Sequence, residues 1–166
     1  MSGPIDFNQD VTPHYTNDII ETLRREQQHR DAGFTIIKDA PNTLLLDIDA
    51  PSFVLNQQLF ALIDLKWGVF TIEQWESKSG NVHVRVVLRS DLPTPMRIGL
   101  QAALGSDPIR EALMLELWSN GMEEPSMLYR PAGAVVQRIY PNDVNKDTSK
   151  LTHQLSRHLR NRLKQT

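Results

Sequence analysis

The sequence predicts an α+β fold. Its centre, residues 43 to 130, runs strand–helix–strand–strand–helix–strand, with extra N- and C-terminal helices on either side. Three observations predict it. Short apolar runs bounded by turn residues, at 43–49, 69–75 and 82–88, read as buried strands. The segment between the first two, FVLNQQLFALIDLK, spaces its apolar residues three and four apart, the helical repeat. Glycine or proline stands at most of the junctions, where the backbone must change direction.

Each element has its own reason. Residues 1–16 carry little pattern and read as an arm. Asn17 can cap a helix to about Asp31, with Gly33 just past its end. FTIIK (34–38) reads as a strand and Ala40-Pro41-Asn42 as a turn. TLLLDID (43–49) is a buried strand, and Pro51 and Ser52 punctuate it. FVLNQQLFALIDLK then sets Leu55, Leu59, Leu62 and Ile63 on one helical face, and Gly68 ends that helix. VFTIEQW (69–75) and the valine-rich VHVRVVL (82–88) are strands joined by the polar ESKSGN. Thr94 before Pro95, and Ser106-Asp107 before Pro108, are two cap-then-proline helix starts. Those helices end at Gly105 and near Trp118. SMLYR (126–130) is a strand and GAVVQRI (133–139) a weaker one. From about Lys146 a helix carries Leu151, Leu155, Leu159 and Leu163 in one stripe. The central order is the split βαβ pattern of the ferredoxin-like fold. In that pattern the first and third strands are central, antiparallel neighbours. Helices cover one face of the sheet and leave the other open.

A chain of 166 residues, 40% hydrophobic and 23% charged, is expected to form a single domain over 1–166 with one sizeable core. Residues 1–42 would supply an arm, helix and strand, 43–132 the functional core, and 133–166 the weak strand and a basic helix. No apolar run approaches the length of a bilayer span, and MSGPIDFNQD lacks the features of a secretion signal. There are no cysteines, which removes disulfides, thiolate zinc sites and cysteine nucleophiles. A cytoplasmic protein with no membrane partner is the expectation. The net charge of −2 gives no overall attraction to nucleic acid. Its distribution is uneven, however: Arg24, Arg25 and Arg30 cluster, and residues 150–166 hold five Lys/Arg and no acid. Such stretches are solvated helix faces or phosphate-binding patches.

The sharpest feature is LLLDIDAPS, an apolar run ending in two carboxylates. In a strand, residues i and i+2 share a side, so Asp47 and Asp49 point together, about 7 Å apart. Leu44, Leu46 and Ile48 take the other face. Two like charges on a central strand cost hydration and repel. A divalent cation resolves the conflict, and hard oxygen ligands suit Mg²⁺ or Mn²⁺. The competing reading is a turn whose acids cap the next helix. In VHVRV the valines should face the helices, which turns His83 and Arg85 to the open face. The antiparallel neighbourhood then brings His83 close to Asp49. The preceding Ser77-Lys78-Ser79-Gly80-Asn81 loop can offer backbone N–H groups to phosphates.

LLLDID followed by SGNVHVRV resembles the first two motifs of the archaeo-eukaryotic primase superfamily, the primase-polymerases, in their compact plasmid and phage form. The resemblance covers roughly residues 43 to 132. It implies a palm-like core and template-dependent nucleotidyl transfer, as a DNA primase or polymerase, by a two-metal mechanism. Asp47 and Asp49 match the first motif's metal ligands, and Asn81-Val82-His83 matches the second motif, which contacts the incoming nucleotide. The third motif's acid is best matched by Asp107, with Asp64 and Glu73 as rivals. Read without the family, Asp107 is a helix cap. Asn81 replaces the more usual serine. Arg110 and the Arg130-Pro131 pair are similar to arginines that follow the third acid. The implied partners are an NTP or dNTP, a single-stranded nucleic acid template, and a separate helicase or replication protein. His83, Arg85, Arg130 and the Ser77–Asn81 loop would hold phosphates. Arg157, Arg160, Arg162 and Lys164 of the basic tail, with the Arg24–Arg30 cluster, would grip template. Of the tryptophans that could stack bases, Trp67, Trp75 and Trp118, at least two are expected in the core.

Three other readings compete. An RNA-recognition module has the same element order but needs exposed aromatics on its central strands, where this chain has Asp47, Asp49, His83 and Arg85. A rolling-circle nuclease needs an HxH pair and a helical tyrosine, and no HxH is present. A non-catalytic nucleic-acid-binding or interaction protein on the same core remains the alternative.

Overall fold

A computed structural model describes residues 12–49 and 57–139. Among them are four α-helices and two antiparallel sheets. Helix α1 (Thr12–Asp31) is followed by strands β1 (Thr35–Lys38) and β2 (Thr43–Ile48). Helix α2 (Gln57–Trp67) leads to β3 (Val69–Glu76) and β4 (Val82–Leu88). Helices α3 (Thr94–Ala103) and α4 (Pro108–Ser119) precede β5 (Met127–Arg130) and β6 (Gln137–Ile139). Helix α1 begins five residues before the expected cap at Asn17. The basic tail, with its leucine stripe and Arg157, Arg160, Arg162 and Lys164, lies outside the described residues, as does Leu55. No described helix is long and apolar enough to cross a membrane.

The larger sheet has the order β2-β4-β3-β6, and its described pairings are antiparallel. The first and third core strands are therefore neighbours, as the sequence predicts. Alternation explains the core between sheet and helices. Leu44, Leu46 and Ile48 of β2 and Val82, Val84 and Val86 of β4 turn to one face and pack with Phe60 and Ile63 of α2. Leu59 and Trp67 extend that helical stripe. Leu62, expected in it, is 53% exposed, because the buried stripe runs through 59, 60, 63 and 67 instead.

Two expectations about the sheet are corrected. β5 does not join the larger sheet beside β2. It pairs with β1 in a separate two-stranded sheet, with Thr35 opposite Arg130 and Lys38 opposite Met127. The reason lies on the free edge of β2, where side chains of α3 and α4, with Ser106 and the Asp107 amide between them, take the place of a strand. Gln101 Oε1 accepts the Leu45 N–H at 2.9 Å, and Arg110 Nη1 donates to the Leu45 carbonyl at 3.1 Å. Ser106 Oγ accepts the Asp47 N–H at 2.9 Å, and the Asp107 N–H donates to the Asp47 carbonyl at 2.8 Å. Buried backbone groups must be paired, and here they are. Arg110 Nη2 also donates to the Met127 carbonyl at 3.1 Å, so one guanidinium joins β2 and β5 without a ladder.

Nor is the second face of the sheet open throughout. Leu45, Trp75 and Leu128 form a second cluster there, with Ile37, Ala134 and Val136 packed against it. His83 is consequently 7% exposed rather than displayed. Trp75 is 1% exposed and donates its indole N–H to the Tyr129 carbonyl. Trp67 packs against the main core and Trp118 is partly exposed. Thr94, expected as a cap, makes no cap bond. Its hydroxyl donates to the Glu123 carbonyl and accepts from Arg97, and Pro93 holds the cap position.

Candidate functional site

Asp47 is the last outward residue of β2, and its Cα partner on β4 is His83. The sequence expectation placed His83 beside Asp49, but the observed register sets it opposite Asp47. His83 Nε2 lies 3.4 Å from Asp47 Oδ1, and Nδ1 lies 3.1 Å from the Tyr129 carbonyl oxygen. Trp75 meets the imidazole edge-on at 5.7 Å, which limits the ring's freedom to turn. Asn81 Nδ2 donates to the same Asp47 oxygen at 3.2 Å. Burial pushes the Asp47 carboxyl up. The His83 hydrogen bond and charge, the Asn81 hydrogen bond and the positive charge of Arg110 outweigh it, and hold the group below its ordinary value.

The Ser77–Asn81 turn hangs over this pair because β3 and β4 form a hairpin. Gly80 has φ +89°, a left-handed conformation that glycine adopts without strain. The turn closes on itself through Ser77 N–H to Asn81 O, Gly80 N–H to Ser77 O, and Asn81 N–H to Ser77 Oγ. Those bonds do not use the amides of Lys78 and Ser79. One cleft gathers Ser77, Lys78 and Ser79 with Asp47, His83, His29, Phe34 and Tyr129.

A second cleft is lined by Asp49, Asn81, Gly105, Asp107 and Pro108. Asn81 thus stands between the two clefts, bonded to Asp47 and bordering Asp49. Asp107 lines this cleft and is the N-cap of α4, accepting from the Ile109 N–H at 2.9 Å. Of its rivals, Asp64 accepts the Val69 N–H at 2.7 Å. Glu73 is buried between Arg85 (3.3 Å) and Arg138. Burial raises the Glu73 carboxyl, but the hydrogen bonds and charges of Arg138 and Arg85 outweigh that and hold it low.

The expected phosphate ligands therefore divide. Ser77, Lys78, Ser79 and His83 share a cleft with Asp47, and Asn81 hydrogen-bonds it. Gly80 shapes the turn. Arg85 does not line these clefts and pairs with Glu73 instead. Arg130 lies with its guanidinium 5.8 Å from the Trp75 ring centre. Arg110 is engaged by two carbonyls and by Glu111. Sequence reasoning missed His29, Phe34 and Tyr129 as cleft residues. Nothing in their spacing foretells that the β1–β5 ribbon brings them there.

Among the described residues, no three His, Asp or Glu side chains are grouped so as to hold a metal between them. Mg²⁺ commonly takes only one or two carboxylates and fills its octahedron with water and substrate phosphates. Asp49 and Asp107 line one cleft and Asp47 lines the adjoining one. Comparison of the chain with family models, with curated proteins and with solved structures finds no match.

Proposed function

We propose that this protein is a template-dependent nucleotidyltransferase of the primase or polymerase kind. One observation carries the reading. The carboxylate strand end, the imidazole and the small-residue turn, separate in sequence, converge on adjoining clefts with Asn81 between them. Lys78, Ser77, Ser79 and His83 would hold an anionic triphosphate, and Asp47, Asp49 and Asp107 would hold the Mg²⁺ or Mn²⁺ that accompanies it. When bound, such ions offset the triphosphate charge and increase the acidity of the attacking hydroxyl. In the transfer the 3′-oxygen forms a bond to the α-phosphorus. The bond from that phosphorus to the bridging oxygen breaks, pyrophosphate leaves, and the hydroxyl proton passes to solvent. The clasp of Ser106 and Asp107 on the Asp47 backbone keeps this carboxylate in place, a positioning role. Single-stranded template and a separate replication protein or helicase are the proposed partners.

The test is nucleotide incorporation on a single-stranded template with Mn²⁺ or Mg²⁺, comparing the protein with Asp47→Ala/Asp49→Ala. Metal-dependent product that vanishes in the double variant supports the reading. A second reading, a non-catalytic nucleic-acid-binding or interaction protein, is favoured by the capping role of Asp107 and the lack of a three-ligand group among the described residues. It predicts template binding with no incorporation by either protein.

A further inference from the structure

The nucleotide reading accounts for the polar side of the cleft but not for its other wall. His29 of α1 and Tyr129 of β5 stack at 3.7 Å between ring centres, with 10° between their planes. Phe34, just before β1, meets both edge-on, at 5.3 Å and 6.5 Å. All three rings are partly exposed and line the cleft that the Ser77–Ser79 turn also borders. They come from three separate elements, and none belongs to the two hydrophobic clusters. His29 Nδ1 lies 2.7 Å from the Arg25 carbonyl, which fixes the ring's orientation.

The cleft holds about 360 Å³, within the range of small-molecule sites. Part of its lining is aromatic, a stacked pair with a third ring edge-on to both. The rest has two hydroxyls, a lysine, an imidazole and the Asp47 carboxylate, whose charge a Mg²⁺ accompanying the ligand would offset. The ligand that satisfies both parts is a planar ring joined to an anionic tail. We propose that His29, Phe34 and Tyr129 form the wall that receives the base of a bound nucleoside triphosphate, while the turn takes its phosphates. Resting on the nucleotide reading, this adds where the base lies and what recognises it. Stacking on aromatic rings accepts every base, because each has a π-face, so the wall supplies affinity without choosing among them.

The experiment is calorimetric titration of the full chain, in Mg²⁺, with ATP, CTP and inorganic tripolyphosphate. ATP and CTP are expected to bind about tenfold or more tightly than tripolyphosphate. Phe34→Leu and Tyr129→Leu keep apolar bulk and, for Tyr129, the backbone carbonyl that meets His83. Each is expected to bring the triphosphates close to the affinity of tripolyphosphate, with an unchanged circular dichroism spectrum. Lys78→Ala should weaken all three ligands alike. Equal binding of ATP and tripolyphosphate by the unaltered protein overturns the aromatic wall while leaving a phosphate site standing. A preference for ATP that survives both leucine variants places the base elsewhere and overturns it too. No binding of any of the three overturns the wall and the nucleotide reading together.

Discussion

His83 stands directly across from Asp47 on the neighbouring strand, its Nε2 3.4 Å from the carboxylate. The other ring nitrogen faces the Tyr129 carbonyl at 3.1 Å. A carbonyl oxygen only accepts, so Nδ1 carries the proton in that contact. Nε2 then faces the Asp47 carboxylate, so the ring is held between a carbonyl and an acid.

Removing the imidazole should be visible on Asp47. In His83→Ala the burial that raises this carboxyl remains, while the strongest opposing hydrogen bond and charge are gone. Its titration, followed by carbon NMR of the side chain, is expected to move upward from below the ordinary value. A folded pKa held low gives stability that is present above the ordinary carboxylate range and lost as pH falls through the folded value. The His83→Ala protein should therefore lose less stability on acidification than the unaltered one, and urea midpoints on acidification check it.

Asp107 separates a cap from a ligand. Asparagine caps a helix about as well as aspartate, whereas alanine costs about 1 kcal/mol. Asp107→Asn is expected to leave thermal stability nearly unchanged and to lower metal-dependent incorporation about tenfold or more. Asp107→Ala should do both, losing activity and about 1 kcal/mol by urea denaturation. Undiminished incorporation by Asp107→Asn would reduce this residue to a cap.

The side-chain edge of β2 should be costly to break. Gln101 is fully buried, accepting from Leu45 and donating to Glu111 at 2.7 Å and Ser126 at 3.3 Å. Gln101→Ala strands the Leu45 N–H and opens a cavity, at about 2–4 kcal/mol. Arg110→Leu leaves two carbonyls without this donor and the buried Glu111 carboxylate without its cation, at about 3–5 kcal/mol. Chemical denaturation measures both, and a loss below about 1 kcal/mol in either would mean that water or a neighbouring strand satisfies the edge.

Asp39 predicts a pH dependence of the opposite sign. It is 5% exposed beside Arg97, 2.7 Å away, and burial raises its carboxyl from the ordinary 3.8 to about 6 against the pull of Arg97. The folded protein then holds this proton more tightly than the unfolded chain. Its contribution to stability is whole below the ordinary value and is lost as pH rises through about 6. That loss amounts to at most about 3 kcal/mol. Asp39→Asn, which does not titrate, is expected to flatten the fall in stability over that interval, as read from urea midpoints.

The sequence by itself determined the elements and the carboxylate strand. Alternation in TLLLDI and VHVRV assigns the apolar residues to the core and Asp47, His83 and Arg85 to the other face, because side chains reverse sides at every residue of a strand. The Ser-Asp-Pro start of α4 was equally legible, since capping is a local interaction. Local pattern also ordered β2, β3 and β4 correctly. The tertiary structure decided the rest. A strand's partner depends on which groups across space satisfy its free edge, and on β2 those groups are Gln101, Ser106, Asp107 and Arg110, about sixty residues away in the chain. With β2 answered by side chains, β5 was free to pair with β1. That ribbon covers His83, sets Trp75 beneath Arg130 and brings Tyr129 to His29 and Phe34. Arg85 went to Glu73 for a similar reason: a buried carboxylate needs cations, and the register places Glu73 between Arg85 and Arg138. Periodicity assigns a residue to a face, but only long-range pairing determines what covers that face.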